Sequence, residues 1–501
     1  MNVFVILADS FRADHLGCYG NEWTTPVGGQ AAAVGGQAFQ PVRELPTAVG
    51  GQAFQPVRVQ SSRTPNLDAF AADATVFESA YSENLPTLPN RQALFTGRFG
   101  LPFRKWQALD MQHVLAEAMW DQGLRTCLIT DTYHMHKPGM LYSRGFEEVH
   151  FIRGQEYDPM HKGTPSHGVP RCYFKDDGDP ASEMHRRGTA IYLRNRAHWK
   201  SDGDHFVAQC VRETLAWLDR QEAKGIRDGM FLWLDCFDPH EPWDPMPPFD
   251  TLYGPLLPGG RQLANPIPRP VEGYLSEEEC LHIQQQYAGL CTVVDKWLGI
   301  LLDELKRRGY FENTLLIFTS DHGEPLGNGR MGHGIMRKCR PWPYEELARI
   351  PLFIRCPEVG HGKRVTGFAQ PPDLTATILE SLGIEQMPGT HGRSLLPIVS
   401  GEADSIRDFA VSGFHNASWS LRTNEHTLIL WRPGLSASQI PTQSVGAAPP
   451  ADGTQRSPSA PELYLRQPDR YELHNVAAEY PEDATRLELQ LRTFVDSLVW
   501  D

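Results

Sequence analysis

Residues 2–9 read NVFVILAD, and this short segment decides the fold that the rest of the sequence predicts. The run from Asn2 to Ala8 is apolar, and Asp9 follows it directly. A membrane span needs about 20 apolar residues, and a signal peptide needs a basic start and a small-residue cleavage site. We therefore predict a buried strand that ends at a carboxylate.

Three later segments repeat this arrangement of an apolar strand followed by polar side chains. The predicted strands are Arg125–Ile129, Met230–Leu234 and Leu315–Thr319. The side chains that follow them are Asp131, Thr132 and His134, then Asp235, Asp238 and His240, then Asp321 and His322. A single aspartate in such a position is more often a helix cap. Four strands that end alike instead indicate a ligand site at the carboxyl edge of a parallel sheet.

Helical segments alternate with these strands, at Asn66–Ala74, Gln112–Gln122, His205–Arg220 and Ser276–Arg308, and Pro351–Ile354 is a further strand. This alternation predicts an α/β fold, with a large mixed, mostly parallel sheet covered by helices on both faces. The alternation of predicted strands and helices changes near residue 400. We predict a catalytic domain over 1–400 and a smaller α+β domain over 401–501, with a hairpin at 419–431, a loop at Pro433–Pro461 and a closing helix at Glu482–Leu498.

One segment does not fit this alternation. Residues 33–43 read AVGGQAFQPVR, and residues 48–58 repeat the same eleven letters. Two copies are too few for a stacked repeat fold, which needs about three units. We predict that residues 27–62 form an inserted, disordered surface loop.

Charge and cysteine content restrict the class of protein. The 501 residues carry a formal net charge of −14, which argues against a nucleic-acid-binding protein with a basic face. The nine cysteines form no C-x-x-C pair, so free thiols in a reducing compartment are the simplest interpretation. We predict a cytoplasmic protein without membrane association, and the sequence does not indicate its oligomeric state.

The segment Asn84–Gly97, NLPTLPNRQALFTG, places Thr87 near the start of a predicted helix and Arg91 one turn later. A helix N-terminus and a guanidinium together bind tetrahedral oxyanions well. A threonine hydroxyl becomes a useful nucleophile when a metal or a base activates it. Asp9, Asp321 and His322 could hold such a metal. Oxygen ligands alone would favour Ca²⁺ or Mg²⁺, and an imidazole would favour Mn²⁺ or Zn²⁺. Thr87 could equally be a helix N-cap.

These residues stand in an order that resembles the type I sulfatases and phosphonate monoester hydrolases of the alkaline phosphatase superfamily. The matching segments are VILADSFRADHLGCYG at 5–20, TPNLDAFA at 64–71, TLPNRQALFTG at 87–97, DPHEPW at 238–243, SDHGEPLG at 320–327, PYEELARIPLFIR at 343–355, HGRSLLPI at 391–398 and PELYLRQPDRYELHNVA at 461–477. The resemblance covers nearly the whole chain apart from the insertion. It implies an alkaline-phosphatase-like fold and hydrolysis of small anionic sulfate or phosphate esters.

The resemblance also assigns roles, residue by residue. Thr87 stands where sulfatases carry the Cys or Ser that becomes formylglycine, so no formylglycine is expected here. Threonine is the nucleophile in the related nucleotide pyrophosphatase/phosphodiesterase branch. The usual Asp-Asp pair is Asp9-Ser10 here, as in members that use a single aspartate. The implied metal ligands are Asp9, Thr87, Asp321 and His322, and the implied catalytic or substrate-binding residues are Arg91, His134, His240, Lys338 and His333.

Three alternatives remain open at this point. The first is a hydrolase of sulfate or phosphate esters that uses one metal ion. The second is a phosphodiesterase or phosphonate monoester hydrolase with a second ion, held by Asp238 (or Asp235), His240 and His333. The third is a non-catalytic anion-binding protein, against which the retained Asp9, Arg91, Asp321 and His322 argue.

Overall fold

The computed structural model of the chain describes residues 1–20, 62–101, 103–161, 174–175, 178–327, 332–338, 342–360, 362–415, 417–432 and 460–498. The predicted insertion at 27–62 lies outside these residues except for Ser62. The predicted loop at 433–461 lies outside them except for its last two residues.

The described residues form sixteen strands and ten α-helices. The strands are β1 Asn2–Ala8, β2 Thr75–Ala80, β3 Asn84–Leu85, β4 Arg125–Thr130, β5 Glu148–Phe151, β6 Met230–Cys236, β7 Arg269–Pro270, β8 Thr314–Thr319, β9 Leu326–Gly327, β10 Ile335–Met336, β11 Leu352–Arg355, β12 Lys363–Ala369, β13 Ala410–Phe414, β14 Ser418–Arg422, β15 His426–Trp431 and β16 Glu462–Leu465. The helices are α1 Pro65–Ala72, α2 Thr87–Thr96, α3 Leu115–Asp121, α4 Glu183–Asn195, α5 Phe206–Ala223, α6 Glu277–Arg307, α7 Glu345–Ala348, α8 Pro371–Ser381, α9 Leu396–Ser400 and α10 Pro481–Ser497.

The main sheet has eight strands in the order β12-β2-β11-β8-β1-β6-β4-β5. All neighbours in it are parallel except β11, which runs antiparallel to both β2 and β8. The prediction of a mixed, mostly parallel sheet is therefore confirmed. Strand β1, the segment that opens the sequence, lies inside this sheet between β8 and β6 and is buried along its whole length.

Helices cover both faces of the main sheet. Phe4, Ile6 and Ala8 of β1 pack in one apolar cluster with residues of α1, α5 and α6. Val3, Val5 and Leu7 pack in a second cluster with residues of α2, α3 and α8. Successive side chains of a strand point to opposite faces, so an apolar run without polar interruption is what a twice-covered strand requires.

The carboxyl ends of the central strands meet at one edge of the sheet. Leu7 of β1 is paired with Thr319 of β8 and with Asp235 of β6, and Thr130 of β4 is also paired with Asp235. The residues that follow these four strands are therefore delivered to one place, as the sequence predicts.

A second sheet follows residue 400, in the order β16-β15-β14-β13-β3. The predicted hairpin is confirmed as β14 and β15, and α10 packs on this sheet through Leu487 and Leu491. Its last strand, β3, comes from the segment just before α2 and pairs in parallel with β13. The C-terminal part of the chain is thus joined by a strand to the segment that carries Thr87.

Two further observations concern membrane-spanning helices and the cysteines. No helix within the described ranges is both long enough and apolar enough to cross a membrane. The cysteines that the structure describes as free thiols are Cys18, Cys127, Cys210, Cys236, Cys280, Cys291 and Cys356.

Candidate active site

Three side chains that follow β1 and β8 form a cluster with the donors of a metal site. Asp9, Asp321 and His322 are fully buried, and their ligand atoms all lie within 4.8 Å of one another. Among the residues that the structure describes, no other group of His, Cys, Asp and Glu side chains converges in this way. The register of the main sheet is what brings Asp9 and Asp321 together across a separation of more than 300 residues in the sequence.

Helix α2 begins at Thr87 and places its hydroxyl against this cluster. Asn90 Nδ2 and Ser82 Oγ each donate a hydrogen bond of 2.5 Å to the carbonyl of Asp321, which ties the start of the helix to the end of β8. Thr87 Oγ1 lies 3.2 Å from His322 Nε2. Because His322 Nδ1 donates to the Gly323 carbonyl at 2.7 Å, Nε2 carries the lone pair that accepts the Thr87 hydroxyl.

Arg91, on the next turn of α2, is bonded to aspartates on every side. Its Nε and Nη2 donate to Asp235 at 2.9 and 2.7 Å, and its Nη1 donates to Asp321 at 2.5 Å. Its Nη2 also lies 3.1 Å from Asp9 Oδ2. The sequence predicted a guanidinium that contacts the substrate, whereas the structure shows one that is fully buried and joins three carboxylates. We call Asp9, Thr87, Arg91, Asp235, Asp321 and His322 the floor of the site.

The floor fits a divalent cation by charge and by donor type. Asp9, Asp235 and Asp321 are three carboxylates around a single guanidinium, so two negative charges remain when all three are ionised. Asp9 Oδ2 is buried, and apart from its ion pair with Arg91 it accepts no hydrogen bond from the described part of the chain. Burial and the charge of Asp321 raise the pKa of Asp9 well above its usual value, although Arg91 and Lys338 lower it. A bound cation would relieve that repulsion.

Lys338 reaches the same region from the loop after β10. Its ammonium pairs with Glu324 and lies 3.5 Å from Glu241 Oε2. Glu324 also accepts a hydrogen bond from Ser10 Oγ at 3.3 Å, and Ser10 Oγ lies 3.4 Å from His322 Nδ1. Lys338 is therefore linked to the floor through Glu324 and Ser10, the residue that replaces the second aspartate of the family pattern.

Two histidines predicted from the sequence lie beside each other across Phe237. The His240 ring is 4.1 Å from the Phe237 ring, and the His134 ring is 6.3 Å from it, centroid to centroid. His240 Nδ1 contacts the Glu241 carbonyl at 3.0 Å, and burial lowers the pKa of His240 to about 3. His134 Nε2 pairs with the carboxylate of Glu156.

Trp106 lies at the exposed side of His134. The two rings meet edge to face at 4.8 Å, and Trp106 is 36% exposed, against 9% for His134. Trp106, His134, Glu156, His240 and Lys338 form what we call the rim of the site. Glu156 was not singled out from the sequence, because its partner His134 is 22 residues away and no local pattern links the two.

The structure does not assemble the second metal set. Asp238 accepts hydrogen bonds from the Val207 amide at 3.0 Å and from Gln155 at 3.5 Å. Both nitrogens of His333 are engaged, Nδ1 with Glu346 at 3.0 Å and Nε2 with the Glu472 carbonyl at 2.8 Å. Its ring also stacks on Tyr344 at 3.4 Å. Contrary to the prediction from sequence, His333 thus joins the C-terminal region to α7 instead of facing a metal or a substrate.

Comparisons with known proteins give the family and the fold of the chain. The sequence profile of the sulfatase family matches residues 1–384. Arylsulfatase K of Danio rerio is 25% identical over 456 residues, which cover 84% of this chain and 77% of that protein. The multifunctional alkaline phosphatase superfamily protein PehA of Trinickia caryophylli is 26% identical over 382 residues, covering 68% and 71%. The structure of the phosphonate monoester hydrolase SpPMH from Silicibacter pomeroyi shares the fold, with a TM-score of 0.66, 21% identity, and coverage of 99% and 96%.

Proposed function

The chain belongs to the sulfatase family and is an ester hydrolase, and we propose that Thr87 is the nucleophile with which it cleaves phosphate or phosphonate esters. The observation that carries the proposal is the 3.2 Å contact between Thr87 Oγ1 and His322 Nε2, beside Asp9 and Asp321. Threonine cannot be oxidised to the formylglycine aldehyde. Direct attack by an alkoxide, followed by hydrolysis, is chemically more natural at phosphorus than at sulfur.

The ligands that would hold the cation are Asp9, Thr87, Asp321 and His322. Two carboxylates with an imidazole favour Mn²⁺ or Zn²⁺, and Ca²⁺ remains an alternative because three of the four donors are oxygens. When bound, the ion would stabilise the alkoxide form of Thr87 and charge on the reacting oxyanion. Burial lowers the pKa of His322 to about 4, so its Nε2 lone pair is available at neutral pH.

The chain's own residues supply the remaining steps. Thr87 Oγ1 attacks phosphorus in line with the bond to the departing alcohol, and that bond breaks. Lys338 supplies positive charge near the reacting oxyanion, while Arg91 keeps the three carboxylates of the floor together. His134 or His240 gives a proton to the leaving oxygen. Water then cleaves the phosphorylated threonine.

Family membership favours sulfate esters as a second class of substrate, since the family profile covers residues 1–384. The two classes share a tetrahedral centre with charged oxygens and differ in the atom that is attacked. A protein that binds such anions without turning them over is the third possibility, and the same experiment separates all three.

The test is a substrate panel with purified protein stripped of metal and then loaded separately with Mn²⁺, Zn²⁺ or Ca²⁺. The substrates are p-nitrophenyl phosphate, bis-p-nitrophenyl phosphate, p-nitrophenyl phenylphosphonate and p-nitrophenyl sulfate. We expect turnover of at least one phosphorus ester that requires added metal, together with a phosphoryl group on the peptide containing Thr87 in acid-quenched samples. Turnover of the sulfate alone would move the assignment to sulfate esters. Binding without turnover of any substrate would reject the enzymatic proposal.

A further inference from the structure

Glu156 is a nearly buried carboxylate that touches a catalytic candidate and that the sequence motifs did not indicate. Its side chain is 9% exposed and pairs with His134 Nε2. We propose that Glu156 is a positioning residue that orients His134 as the acid for the leaving group, and that the substrate is consequently an ester of an unactivated alcohol. This inference rests on the proposed function.

The backbone around Glu156 is held in an unusual conformation. Glu156 has a φ of +47°, a left-handed value that costs a non-glycine residue free energy and that concentrates at functional sites. The loop is fixed on both sides. Asp158 accepts bonds from Arg153 at 2.6 Å and from the Gly154 amide at 2.7 Å, and Asn195 donates to the carbonyls of Gly154 and Asp158 at 2.8 Å. The carboxylate is therefore presented to His134 by a rigid loop.

The two ring nitrogens of His134 differ in their contacts. Nε2 faces Glu156, while the buried Nδ1 has no hydrogen-bond partner among the described residues. Burial raises the pKa of Glu156, but the charge of His134 outweighs it and lowers the pKa to about 2, so the carboxylate is ionised. An ionised carboxylate at Nε2 fixes the orientation of the ring, so Nδ1 is the nitrogen that would carry the proton for the leaving group.

The other histidine of the rim is a poorer acid. Burial lowers the pKa of His240 to about 3, and its Nδ1 is already turned to the Glu241 carbonyl. It is therefore uncharged at pH 7, and a neutral imidazole is a much weaker acid than an imidazolium. His240 Nδ1 also lies 3.2 Å from the Glu241 carboxylate. In His134 the carboxylate of Glu156 faces Nε2 instead, and the buried Nδ1 has no hydrogen-bond partner among the described residues.

A chain of contacts connects His134 with the segment just before Thr87. Trp106 stands edge-on against it at 4.8 Å and lies 6.4 Å from His415, centroid to centroid. The His415 amide donates to the Leu85 carbonyl at 3.1 Å, two residues before Thr87. The segment that leads into Thr87 is thus linked to His134 through His415 and Trp106.

The proposed step conserves atoms and electrons. Thr87, having lost its hydroxyl proton to solvent, forms a bond from Oγ1 to phosphorus. The bond from phosphorus to the ester oxygen breaks, its electron pair stays on that oxygen, and the proton on His134 Nδ1 moves there to give the alcohol. In the second step a water oxygen bonds to phosphorus, and neutral His134 takes a proton from that water. The bond between phosphorus and Thr87 Oγ1 breaks, and Oγ1 recovers a proton from solvent.

The need for an acid indicates the substrate class. A p-nitrophenolate leaves readily without protonation, whereas an alkoxide gains most from a proton that arrives as the bond breaks. A site that holds a charged pair for this purpose is suited to esters of aliphatic alcohols. Esters of phenols with electron-withdrawing groups would gain least from the proton that His134 supplies.

The test compares Glu156→Gln with wild type on the p-nitrophenyl, phenyl and methyl esters of phenylphosphonic acid, using metal-loaded enzyme. Glutamine keeps the size and one acceptor oxygen but removes the charge. We expect kcat to stay within about threefold for the p-nitrophenyl ester and to fall by about 100-fold for the methyl ester, with little change in KM. His134→Gln should show the same dependence on the leaving group.

The matched control is Glu148→Gln, which removes a carboxylate from another Glu–His pair, 3.3 Å from His150 on β5, and should leave all three rates unchanged. An equal loss on all three esters in Glu156→Gln, or no loss on any, would overturn the inference while leaving the proposed function standing. If wild type cleaves neither these three esters nor any phosphorus ester of the substrate panel with any metal, the proposed function itself fails, and this inference fails with it.

Discussion

The floor and the rim of the site are built in different ways. Floor residues lie in β6, in the first turns of α2, or within three residues after β1 or β8, and none is more than 2% exposed. Rim residues lie in loops outside these elements, and charged side chains hold several of them, as Glu156 holds His134 and Glu324 holds Lys338. The main sheet therefore positions the floor through its backbone register, while the rim depends on individual charge pairs.

The two regions also differ in charge. In the rim, His134 faces Glu156 and Lys338 pairs with Glu324, so these charges find a partner within the protein. In the floor, one guanidinium serves three carboxylates. This difference implies that the cation belongs to the floor. It also implies that substitutions in the floor alter chemistry, stability and metal binding together, whereas substitutions in the rim alter rate or specificity.

The largest expected effect is on chemistry. Thr87→Ala removes the attacking oxygen and should lower kcat by about 10⁴-fold or more, as loss of a nucleophile does in other hydrolases. Thr87→Ser keeps the hydroxyl and should retain activity within about tenfold of wild type. The measurement is initial rate on the best ester of the panel, with melting temperature as the check on folding. Full activity in Thr87→Ala would mean that another group attacks.

Loss of Arg91 should have the next largest effect, on stability. Arg91→Ala leaves Asp9, Asp235 and Asp321 buried without their shared cation, and breaking a buried charge pair on one side typically costs about 3–5 kcal/mol. Urea unfolding measures the loss. Arg125→Ala is the control, because Arg125 is 51% exposed in its ion pair with Glu147 and its loss should cost less than about 1 kcal/mol. Equal effects of the two substitutions would contradict the buried network.

Metal binding provides a third comparison. An ion that binds only the folded chain at about 100 times its dissociation constant stabilises it by about 2.7 kcal/mol, so wild type should melt higher with Mn²⁺ or Zn²⁺ than after chelation. Asp321→Asn should lose most of that response. Asp238→Asn should keep it, because Asp238 bonds to the Val207 amide and to Gln155. If Asp238→Asn also lost the metal-dependent rise in melting temperature, the result would support a second metal site that includes Asp238.

The sequence predicts the floor better than the rim for a physical reason. Asp9 and Asp321 end apolar strands, and the carboxyl ends of parallel strands meet at one edge, so local pattern alone indicates that they converge. No such rule connects Glu156 with His134, since their pairing depends on how two loops fold. The pattern of polar residues after strands also includes His134 and His240, but their roles come from the resemblance to a family, and Lys338 is indicated by that resemblance alone.

Two residues show where the sequence was insufficient even with that resemblance. Arg91 was expected to contact substrate, but Asp235 and Asp321 together bind its guanidinium, a contact set by the register of β6 against β1. His333 was expected in the site, but it bonds to Glu346 and Glu472. The identity of the metal, the alcohol part of the substrate and the cytoplasmic location stay predictions.

The smallest expected effect on kcat is that of substituting His333, and it distinguishes His333 from the histidines of the rim. His333→Gln should leave kcat within about twofold of wild type, because neither ring nitrogen faces the floor, and should cost about 1–2 kcal/mol of stability from the lost hydrogen bonds to Glu346 and the Glu472 carbonyl. His240→Gln is the comparison in the rim and should reduce kcat without a matching loss of stability. A large fall in kcat for His333→Gln would show that His333 acts in the catalytic site.

The pH dependence of that stability loss is a sharper test of the same contact. Burial lowers the pKa of His333, but the hydrogen bond and charge of Glu346 outweigh it, so the pKa lies above the usual 6.5. The folded state then binds the proton more tightly than the unfolded state does. This contribution is fully present below pH 6.5 and is lost as pH rises through the folded pKa. The difference in unfolding free energy between wild type and His333→Gln should therefore be larger at pH 6 than at pH 9. A difference that is equal at both pH values, or larger at pH 9, would show that His333 does not bind Glu346 as a charged group.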